Sequence, residues 1–500
     1  MRQGLRLAAV FVLLVSLAPR RSVAQDPSAE QFARRQYESG LAFMREGKYA
    51  EALKDFRAVV DSYPASAVAG DALLEIARYQ FEVAGEWADA QATTDALLKK
   101  YPSGAAAPMG HVLAGRIVLA RRQTQGDIDT ALASFERVLR LFPGSDAVPA
   151  ALYYSGEAQR IARRPDAALE QDRQVVMRYP SSLWAARAEL GSAICLTASG
   201  RAPRAMEALQ RVRARFPGTP EAAQALAWNT ILYRLYLRPP AQPAFVFSSR
   251  VIPPTPGKLK DVEAIVADRR DILLVATKNG VTAFDGKGAP VRSFGGPEPR
   301  SLFLDRTGRP VVAQKTTIQS EGGAAILLSV PKPGSTPREL DGIPAGVALT
   351  TGDYVLVDRQ ARGLARFGRD GKYVAAFAPL NASRLAINPL DDIAAIDREA
   401  KAIGVLDRDG KPLFKILSKG PGYELDEPSD LAWDPLGHLY VLDRGARSVF
   451  VFGPQGKLVV AFTTSEKAAG ALRRPTAFTL DSAGRLLIYD DREERVQIYQ

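Results

Sequence analysis

Residues 238–257 read RPPAQPAFVFSSRVIPPTPG, and at this stretch the chain changes character. Before it the sequence is rich in Ala, Leu and Arg, and after it come short alternating β-runs separated by Gly turns. The stretch contains six prolines, and because proline removes a backbone donor and fixes φ, no helix is expected to cross it. Between the proline clusters, residues 244–252 are rich in β-forming side chains. We therefore predict a stiff linker, residues 239–257, that contains one short strand.

The composition fits a chain of two or three folded domains. Of the 500 residues, 46% are hydrophobic, so both halves can bury a core. The net charge is +11, of which four charges lie in the N-terminal leader, three in residues 25–238 and four in residues 239–500. Nucleic-acid-binding domains concentrate their positive charge, so this even distribution argues against a nucleic-acid partner.

The first 24 residues have the features of a secretory signal peptide. Arg2 and Arg6 precede a short apolar run, and Ser22 and Ala24 place small side chains at the −3 and −1 positions of a cleavage site. The run is shorter than the ~20 residues that span a bilayer, although an uncleaved short anchor is the alternative. Cys195 is the single cysteine, so no lipid-bearing cysteine is expected after the leader. We expect a mature chain without a transmembrane segment, located in the periplasm or peripheral to the outer membrane.

An aromatic-proline motif recurs through the first half. Its five prolines are 38, 41, 37 and 37 residues apart, a period that predicts a helical solenoid. The aromatic residue is expected to pack inward, proline to stop the helix, and a Ser or Thr two residues later to cap the next helix. The motifs are Tyr63-Pro64, Tyr101-Pro102, Phe142-Pro143, Tyr179-Pro180 and Phe216-Pro217, and four of the expected caps are Ser66, Ser145, Ser182 and Thr219.

The first of these repeats resembles a tetratricopeptide repeat. The resemblance rests on the sequence GKYAEA at residues 47–52, followed by Phe56 and Pro64, and it extends over residues 31–238. It implies a tetratricopeptide-repeat α-solenoid over residues 25–238. The repeat ends and the leader are similar to those of envelope tetratricopeptide proteins, which include the outer-membrane barrel-assembly lipoproteins and the periplasmic partner of the Tol–Pal system. That similarity implies protein or peptide partners in the bacterial envelope.

The second half is patterned with a period of two and punctuated by glycine. Six passages end a short apolar run in the same way, 37 to 47 residues apart, and turns ending in Gly separate the runs that follow. Four strands per unit at this spacing predict a β-propeller of six blades over residues 258–500. The last unit, residues 475–500, stops after its third strand. We therefore expect residues 244–252 to supply the missing outer strand and close the ring.

One blade sequence resembles the repeat of the NHL class of propellers. It is PSDLAWDPLGHLYVLD at residues 428–443, continued by VFVF at residues 449–452. The match is good in the fifth blade and poor in the second, where residues 320–337 add a loop. That family is used mostly for binding, with a minority of enzymes, so the fold alone does not decide activity.

The chain offers few candidates for chemistry. His111 and His438 lie in different halves and are interpreted as structural, and Cys195 is interpreted as a small buried hydrophobe. We therefore predict no catalytic, cofactor-binding or metal residues and no cofactor. A basic helix face is interpreted as solvated rather than as a dock for an acidic partner; it carries Arg201, Arg204, Arg211, Arg213 and Arg215. Acids at strand ends are interpreted as turn caps rather than as a ring around a channel; they are Asp358, Asp397, Asp443 and Asp490.

These features together predict an exported, non-enzymatic protein-binding scaffold of the bacterial cell envelope. It would bind peptides or proteins through the solenoid groove and the propeller face. For a two-site partner, binding at one surface raises the effective concentration at the other. The alternative is a propeller-type lyase or hydrolase acting on carbohydrate or cell-wall material, with the solenoid as targeting module. A cluster of acids, Arg or His with perturbed ionisation at the channel mouth would favour that enzyme. Carbohydrate binding by the propeller would instead require exposed aromatics there. The partner, its binding residues and the oligomeric state are left open by the sequence.

Overall fold

The computed structural model describes residues 27–122, 124–239, 241–332 and 334–500. The predicted signal peptide, residues 1–24, lies outside the described residues. The described chain consists of eleven α-helices followed by six four-stranded sheets. This confirms the predicted fold class, an α-solenoid of helix pairs followed by a six-bladed β-propeller. No helix in the described ranges combines the length and the apolar character needed to cross a membrane.

The chain divides into two compact units after residue 114, so the second unit contains the later helices together with the propeller. The helices run as antiparallel pairs joined by short turns, and π-helical turns follow α3 at Gln80–Ala84 and α11 at Tyr233–Leu237. Their bounds are α1 Pro27–Arg45, α2 Tyr49–Ser62, α3 Ala69–Tyr79, α4 Trp87–Lys100, α5 Ala107–Arg121, α6 Gln125–Leu141, α7 Val148–Ile161, α8 Pro165–Arg178, α9 Leu183–Ala198, α10 Ala202–Arg215 and α11 Pro220–Leu232.

Each repeat buries one residue of its second helix eight positions before the repeat's proline. All five of these side chains are fully buried; they are Phe56, Thr94, Phe135, Asp172 and Leu209. Where the residue is Phe, a glycine on the preceding helix makes room for the ring. A Cβ added at Gly40 would lie 2.6 Å from the Phe56 ring, and one added at Gly115 would lie 2.4 Å from the Phe135 ring. The sequence period therefore marks one buried packing position in each repeat.

The Ser and Thr hydroxyls after the prolines form hydrogen bonds within the turn more often than they cap the next helix. Thr219 is a true N-cap, since its Oγ1 accepts the N–H of Ala222 at 3.2 Å. The cap prediction is wrong at Ser66 and Ser145, because α3 and α7 begin three residues further on. Their hydroxyls accept an N–H two residues ahead, at 3.3 and 3.1 Å, inside an extra turn before the helix. Ser182 directly precedes α9, but its hydroxyl makes no capping bond.

The propeller sheets each run from an inner first strand to an outer fourth strand. The first strands of neighbouring blades contact one another around the axis. The first blade has β2 Val262–Ala267, β3 Leu273–Thr277, β4 Gly280–Phe284 and β5 Pro290–Phe294, and the second has β6 Ser301–Leu304, β7 Pro310–Ala313, β8 Thr317–Ser320 and β9 Ile326–Leu327. The third has β12 Gly346–Ala348, β13 Tyr354–Asp358, β14 Gly363–Phe367 and β15 Tyr373–Ala378, and the fourth has β16 Ala382–Ile387, β17 Ile393–Asp397, β18 Ala402–Leu406 and β19 Pro412–Leu417. The fifth has β22 Pro428–Trp433, β23 Leu439–Asp443, β24 Ser448–Phe452 and β25 Leu458–Thr463, and the sixth has β26 Pro475–Leu480, β27 Leu486–Asp490 and β28 Arg495–Tyr499. Two small hairpins lie between blades: β10 Ser329–Val330 with β11 Arg338–Glu339, and β20 Lys419–Gly420 with β21 Tyr423–Glu424.

The sixth sheet takes its outer strand from the start of the propeller sequence. That strand, β1 Phe247–Ile252, pairs antiparallel with β28, the last strand of the chain. Two further backbone hydrogen bonds, both 2.9 Å long, join Val246 and Gln500. The first and last segments of the propeller therefore lie in one blade, and the ring has no open edge at this point.

The residues just before β1 belong to a hydrophobic core rather than to the sheet. Phe245 is 1% exposed and packs with ring centroids 5.5 Å from Phe462 and 6.4 Å from Tyr440. Arg234 of the π-helical turn lies over the same ring, with Cζ 4.6 Å from its centroid. The core around Phe245 contains side chains from α9, α10 and α11 as well as from the fifth and sixth blades. The last helices and the propeller thus share one hydrophobic core.

We predict that Phe245→Ala lowers the free energy of unfolding of the propeller by about 3–5 kcal/mol, because it opens a cavity in this shared core. The measurement is urea unfolding followed by circular dichroism. The matched control is Val246→Ala at the neighbouring position, which is 54% exposed, and its effect should stay within about 0.5 kcal/mol. Equal effects of the two substitutions would contradict the shared core.

Candidate binding surfaces

One face of the propeller is covered by helices of the same compact unit. Three turns on this face, residues 388–392, 434–438 and 481–485, each join the first and second strands of a blade. Arg122, which follows α5, pairs with Asp391 at 3.3 Å. Arg234 donates from Nη1 to the carbonyl of Gly484 at 2.6 Å. The helices therefore contact the fourth and sixth blades on the same face.

His438 is one of the residues that attach the helices to this face. Its ring is fully buried, with Nδ1 2.7 Å from Oδ2 of Asp434 and Nε2 2.9 Å from the hydroxyl of Tyr236. Burial raises the pKa of Tyr236 to about 12, so that hydroxyl stays neutral. Both ring nitrogens therefore have partners inside the protein. The other histidine, His111, is half-buried on α5.

A second group of charges attaches the helices to the fourth blade. Arg122 is 6% exposed and also donates to the carbonyl of Leu119 at 2.8 Å. Burial and the neighbouring charge of Arg408 lower the pKa of Arg122 to about 10. Arg163, in the turn after α7, pairs with Asp392. These contacts have no signal in the sequence, because their partners lie more than 200 residues apart.

The opposite face of the propeller carries a cavity of about 580 Å³. It lies between the fourth and fifth blades, where the first strands begin and the second strands end. None of the described residues that line it is aromatic, so they offer no stacking surface for a sugar ring. The lining residues are Ser383, Arg384, Ile396, Asp397, Arg398, Lys401, Ala402, Ser418, Leu425, Asp426, Glu427, Pro428, Ser429, Arg444 and Thr476.

Arg384 extends across the propeller channel. It lies on β16 of the fourth blade, and its Nη2 is 3.4 Å from the carbonyl oxygen of Glu263 on β2 of the first blade. In a ring of six blades the first and fourth are opposite, so the guanidinium group crosses the axis. Its other hydrogen bond goes to the carbonyl of Ser383 at 3.2 Å. Among the described residues no carboxylate lies within ion-pair distance of it.

The acids at the strand ends cap turns on this face. Asp443 accepts N–H bonds from Ala446 at 2.8 Å and from Asp426 at 2.8 Å. Asp397 accepts those of Glu399 at 3.0 Å and Ala400 at 3.2 Å. Asp490 and Asp358 cap their own turns in the same way. The carboxylates therefore hold loops, while the basic residues beside them reach the cavity rim.

The basic residues of the rim differ in their partners. Arg444 pairs with Glu427, with Nε 2.9 Å from Oε2. Arg398 and Lys401 are exposed and make no ion pair with any described residue. The rim and floor of the cavity thus contain three cations without a paired carboxylate, the third being Arg384.

Asp430 is the acid with perturbed ionisation near the channel. Burial raises its pKa to about 6, while the charge of Arg384 and the N–H groups of Phe478 and Leu431 oppose that rise. Its Oδ2 accepts the Phe478 N–H at 2.9 Å, which links the fifth blade to the sixth. Asp430 is therefore held by the fold, although it lies close to the channel arginine.

We predict that Asp430 makes the protein less stable as the pH rises from about 4 to about 6. Its folded-state pKa of about 6 lies above the unfolded value, so over this window the folded state holds a proton that the unfolded state has released. The effect should be on the order of 2 kcal/mol. Asp430→Asn should flatten the slope of unfolding free energy against pH, whereas Asp426→Asn at an exposed position should not. Parallel slopes for all three proteins would contradict the assignment.

The helical repeats form a second cavity, of about 570 Å³, where two repeat ends meet. Leu183 at its edge is 82% exposed. Trp184 lies with its ring centroid 5.3 Å from both Tyr153 and Tyr154, and the Cζ of Arg187 lies 5.1 Å above it. The cavity is lined by residues 143–146, 149 and 178–184. It therefore offers an aromatic wall and an exposed aliphatic side chain side by side.

The fourth repeat replaces the buried apolar residue by an ion pair. Asp172 takes the place of Phe135 and Leu209, and its Oδ2 lies 2.5 Å from Nη1 of Arg160. A Cβ added at Gly191 would lie 2.6 Å from Nη1 of Arg160, so a glycine makes room for the guanidinium group. Burial raises the pKa of Asp172, and Arg160 opposes that rise. Both side chains of the pair are buried.

Cys195 is buried, but its neighbour is charged. Its Sγ lies 4.0 Å from Nη1 of Arg160, and burial raises the pKa of the thiol to about 11. The basic face of α10 is partly used inside the protein. Arg211 forms two bonds of 2.9 Å to the buried Glu189, and Arg201 pairs with Asp166 at 2.9 Å.

We predict that Arg160→Met destabilises the helices by about 3–5 kcal/mol, because it leaves the buried Asp172 without its partner. Asp172→Leu should cost less, because Arg160 keeps an ion pair of 2.5 Å with Glu157. The double variant should recover most of this loss, since it restores the apolar packing of the other repeats. Urea unfolding of the wild type, both single variants and the double variant measures the coupling. A double variant whose loss is the sum of the two single losses would show that the charges do not act as a pair.

No curated protein matches the sequence. Residues 29–236 match the family model YfiO, described as an outer membrane lipoprotein. The N-terminal helical region is therefore similar to that family, which confirms the resemblance to envelope tetratricopeptide proteins. The described residues contain no group of three or more His, Cys, Asp or Glu side chains arranged to hold a metal ion.

Solved structures of other propeller proteins show a low similarity. A streptogramin B lyase is 11% identical over 49% of this chain and 95% of its own, with a TM-score of 0.35. Virginiamycin B lyase from Staphylococcus aureus is 14% identical over 47% of this chain and 80% of its own, with a TM-score of 0.35. An auxiliary nutrient binding protein from Bacteroides thetaiotaomicron is 11% identical over 49% of this chain and 70% of its own, with a TM-score of 0.37. Likenesses of this degree carry no argument about activity, and membership of the NHL class stays a prediction.

Proposed function

We propose that this chain is an exported, non-enzymatic protein-binding scaffold of the bacterial cell envelope. It binds a peptide segment of a protein partner at the helical repeats and presents the free face of the propeller as a second surface. The periplasmic location and the signal peptide are part of this proposal. It is supported by the similarity of residues 29–236 to an outer membrane lipoprotein family.

The observation that carries the proposal is the cavity beside Trp184. Aromatic side chains and Arg dominate the binding energy of protein interfaces, and here Trp184, Tyr179 and Arg178 line one recess. Leu183 stands 82% exposed at its edge, where a partner's apolar side chain would remove it from water. A volume of about 570 Å³ accommodates two or three side chains of an extended peptide.

The shared core holds the two proposed binding surfaces at a fixed separation. Because α9–α11 and two blades pack around Phe245, the helical cavity and the free propeller face belong to one compact unit. A partner with two binding segments would meet both surfaces at a fixed separation, which raises the effective concentration for the second contact. We therefore expect partners that engage the chain at two places.

One observation favours the alternative, a lyase or hydrolase. Asp430 has a pKa of about 6 close to Arg384, and such acids occur at catalytic sites. Its oxygens, however, accept the backbone N–H groups of Phe478 and Leu431 at 2.9 Å each. The single histidine of the propeller, His438, is buried on the other face. The proposal accordingly gives the propeller no catalytic step.

The test is photocrosslinking in the native envelope, with p-benzoylphenylalanine placed at Ser181 in the cavity lining. We expect discrete protein adducts whose yield falls several-fold with Leu183→Asp in the same chain, because a charge at the cavity edge opposes apolar docking. Met177→Asp is the matched control, since Met177 is 66% exposed and lies outside the cavity lining. Adducts that Leu183→Asp and Met177→Asp reduce equally, or the absence of protein adducts, would contradict the proposal.

A further inference from the structure

We infer that the cavity on the free propeller face binds a small solute through a carboxylate or phosphate group, with Arg384 as the principal contact. This site is on the propeller, and the inference does not rest on the protein-binding function proposed for the helices. It starts from the polar groups of the cavity that have no suitable partner.

Arg384 is the first of these groups. A guanidinium group in a protein wall is normally paired with a carboxylate. Within the described chain, however, the hydrogen bonds of Arg384 go only to the carbonyls of Glu263 at 3.4 Å and Ser383 at 3.2 Å. These bonds leave part of the planar donor fork unused, and that fork matches the two oxygens of a carboxylate or phosphate. Asp430 is close enough to feel its charge, but its oxygens already accept N–H groups.

Thr476 is the second. Its Oγ1 is buried and has no hydrogen-bond partner among the described residues, although Thr476 lines the cavity from the sixth blade. Leaving a buried hydroxyl unpaired costs about 1–3 kcal/mol, so a ligand oxygen would recover part of that cost. The other two hydroxyls from the first strands, those of Ser383 and Ser429, donate to the carbonyls of Ile396 at 3.5 Å and Leu442 at 3.4 Å.

The cations at the rim that have no ion pair among the described residues favour the same anionic group that Arg384 and Thr476 could bind. Arg398 and Lys401 are exposed at the cavity and form no ion pair within the described chain, whereas the rim cation Arg444 is neutralised by Glu427. Among the lining acids, Asp397 is occupied by two N–H groups of its turn, and Asp426 is exposed at the edge. A solute with one negative group therefore meets three available cations.

The size and surface of the cavity limit the ligand class. A volume of about 580 Å³ fits a small organic molecule rather than a folded partner. The absence of aromatic residues among the described lining favours a ligand recognised by its charge and hydrogen bonds rather than by ring stacking. A sugar acid or another small organic acid has this chemistry, and a small phosphate ester shares it.

The experiment is isothermal titration calorimetry of the purified protein with sodium galacturonate and, separately, with inorganic phosphate at low ionic strength. We expect at least one of the two to bind, with an affinity that falls as NaCl is raised. Preference for galacturonate identifies a carboxylate ligand, and preference for phosphate identifies a phosphate ligand. Binding of neither probe at about 10 mM overturns the inference.

Three variants locate the site. Arg384→Gln should weaken binding about tenfold or more, because a charge-assisted bond to a partly buried guanidinium group is lost. Arg398→Gln, at an exposed position, should weaken it about two- to fivefold, and it keeps the test valid if Arg384→Gln fails to fold. Arg292→Gln, which removes a surface cation paired with Glu321, is the matched control and should bind like the wild type. Equal effects at Arg292 and Arg398 would show a non-specific charge effect and overturn the site.

Discussion

The structure depends on the packing of Phe245 between the last helices and the propeller. The ring packs against Tyr440, Phe462 and Arg234. The next residue, Val246, is bonded to Gln500 through two backbone hydrogen bonds. The same short segment therefore ends the helices, fills a core and closes the ring. An unpaired outer edge in the sixth blade would leave backbone groups without partners, and this segment supplies them.

This arrangement determines which surfaces are available to other molecules. The helices of the second unit occupy the face that carries the turns between first and second strands, and His438, Asp391 and Gly484 are contact points there. No described helix of the second unit makes such a contact with the face that carries Arg384 and the capped turns. The two cavities thus differ in chemistry: the one on the helices is aromatic and apolar, and the one on the propeller is polar and cationic. A protein segment suits the first cavity, and a small oxyanion suits the second, which takes up only part of the free propeller face.

The sequence predicts those features that repeat. The aromatic-proline period marks one packing site per helix pair, and the recurring apolar runs mark one second strand per blade, with an acid at the strand end in four of the six. Both architectures can therefore be read from spacing alone. Features made by a single pair of distant residues have no such signal. Arg384 reaches Glu263 across the ring, Tyr236 meets His438 over 202 residues, and Asp172 interrupts its own repeat by pairing with Arg160. The departure of Asp172 from the apolar pattern was visible in the sequence, but its partner was not.

We expect α11 and the propeller to unfold together because they share the core around Phe245. Native-state hydrogen exchange measures this directly, by comparing the protection of amides in α11, Pro220–Leu232, with that of amides in β28, Arg495–Tyr499. If they do, the slowest amides of both segments exchange with the same opening free energy and the same dependence on denaturant. Amides of α11 that exchange orders of magnitude faster, while those of β28 stay protected, would contradict it.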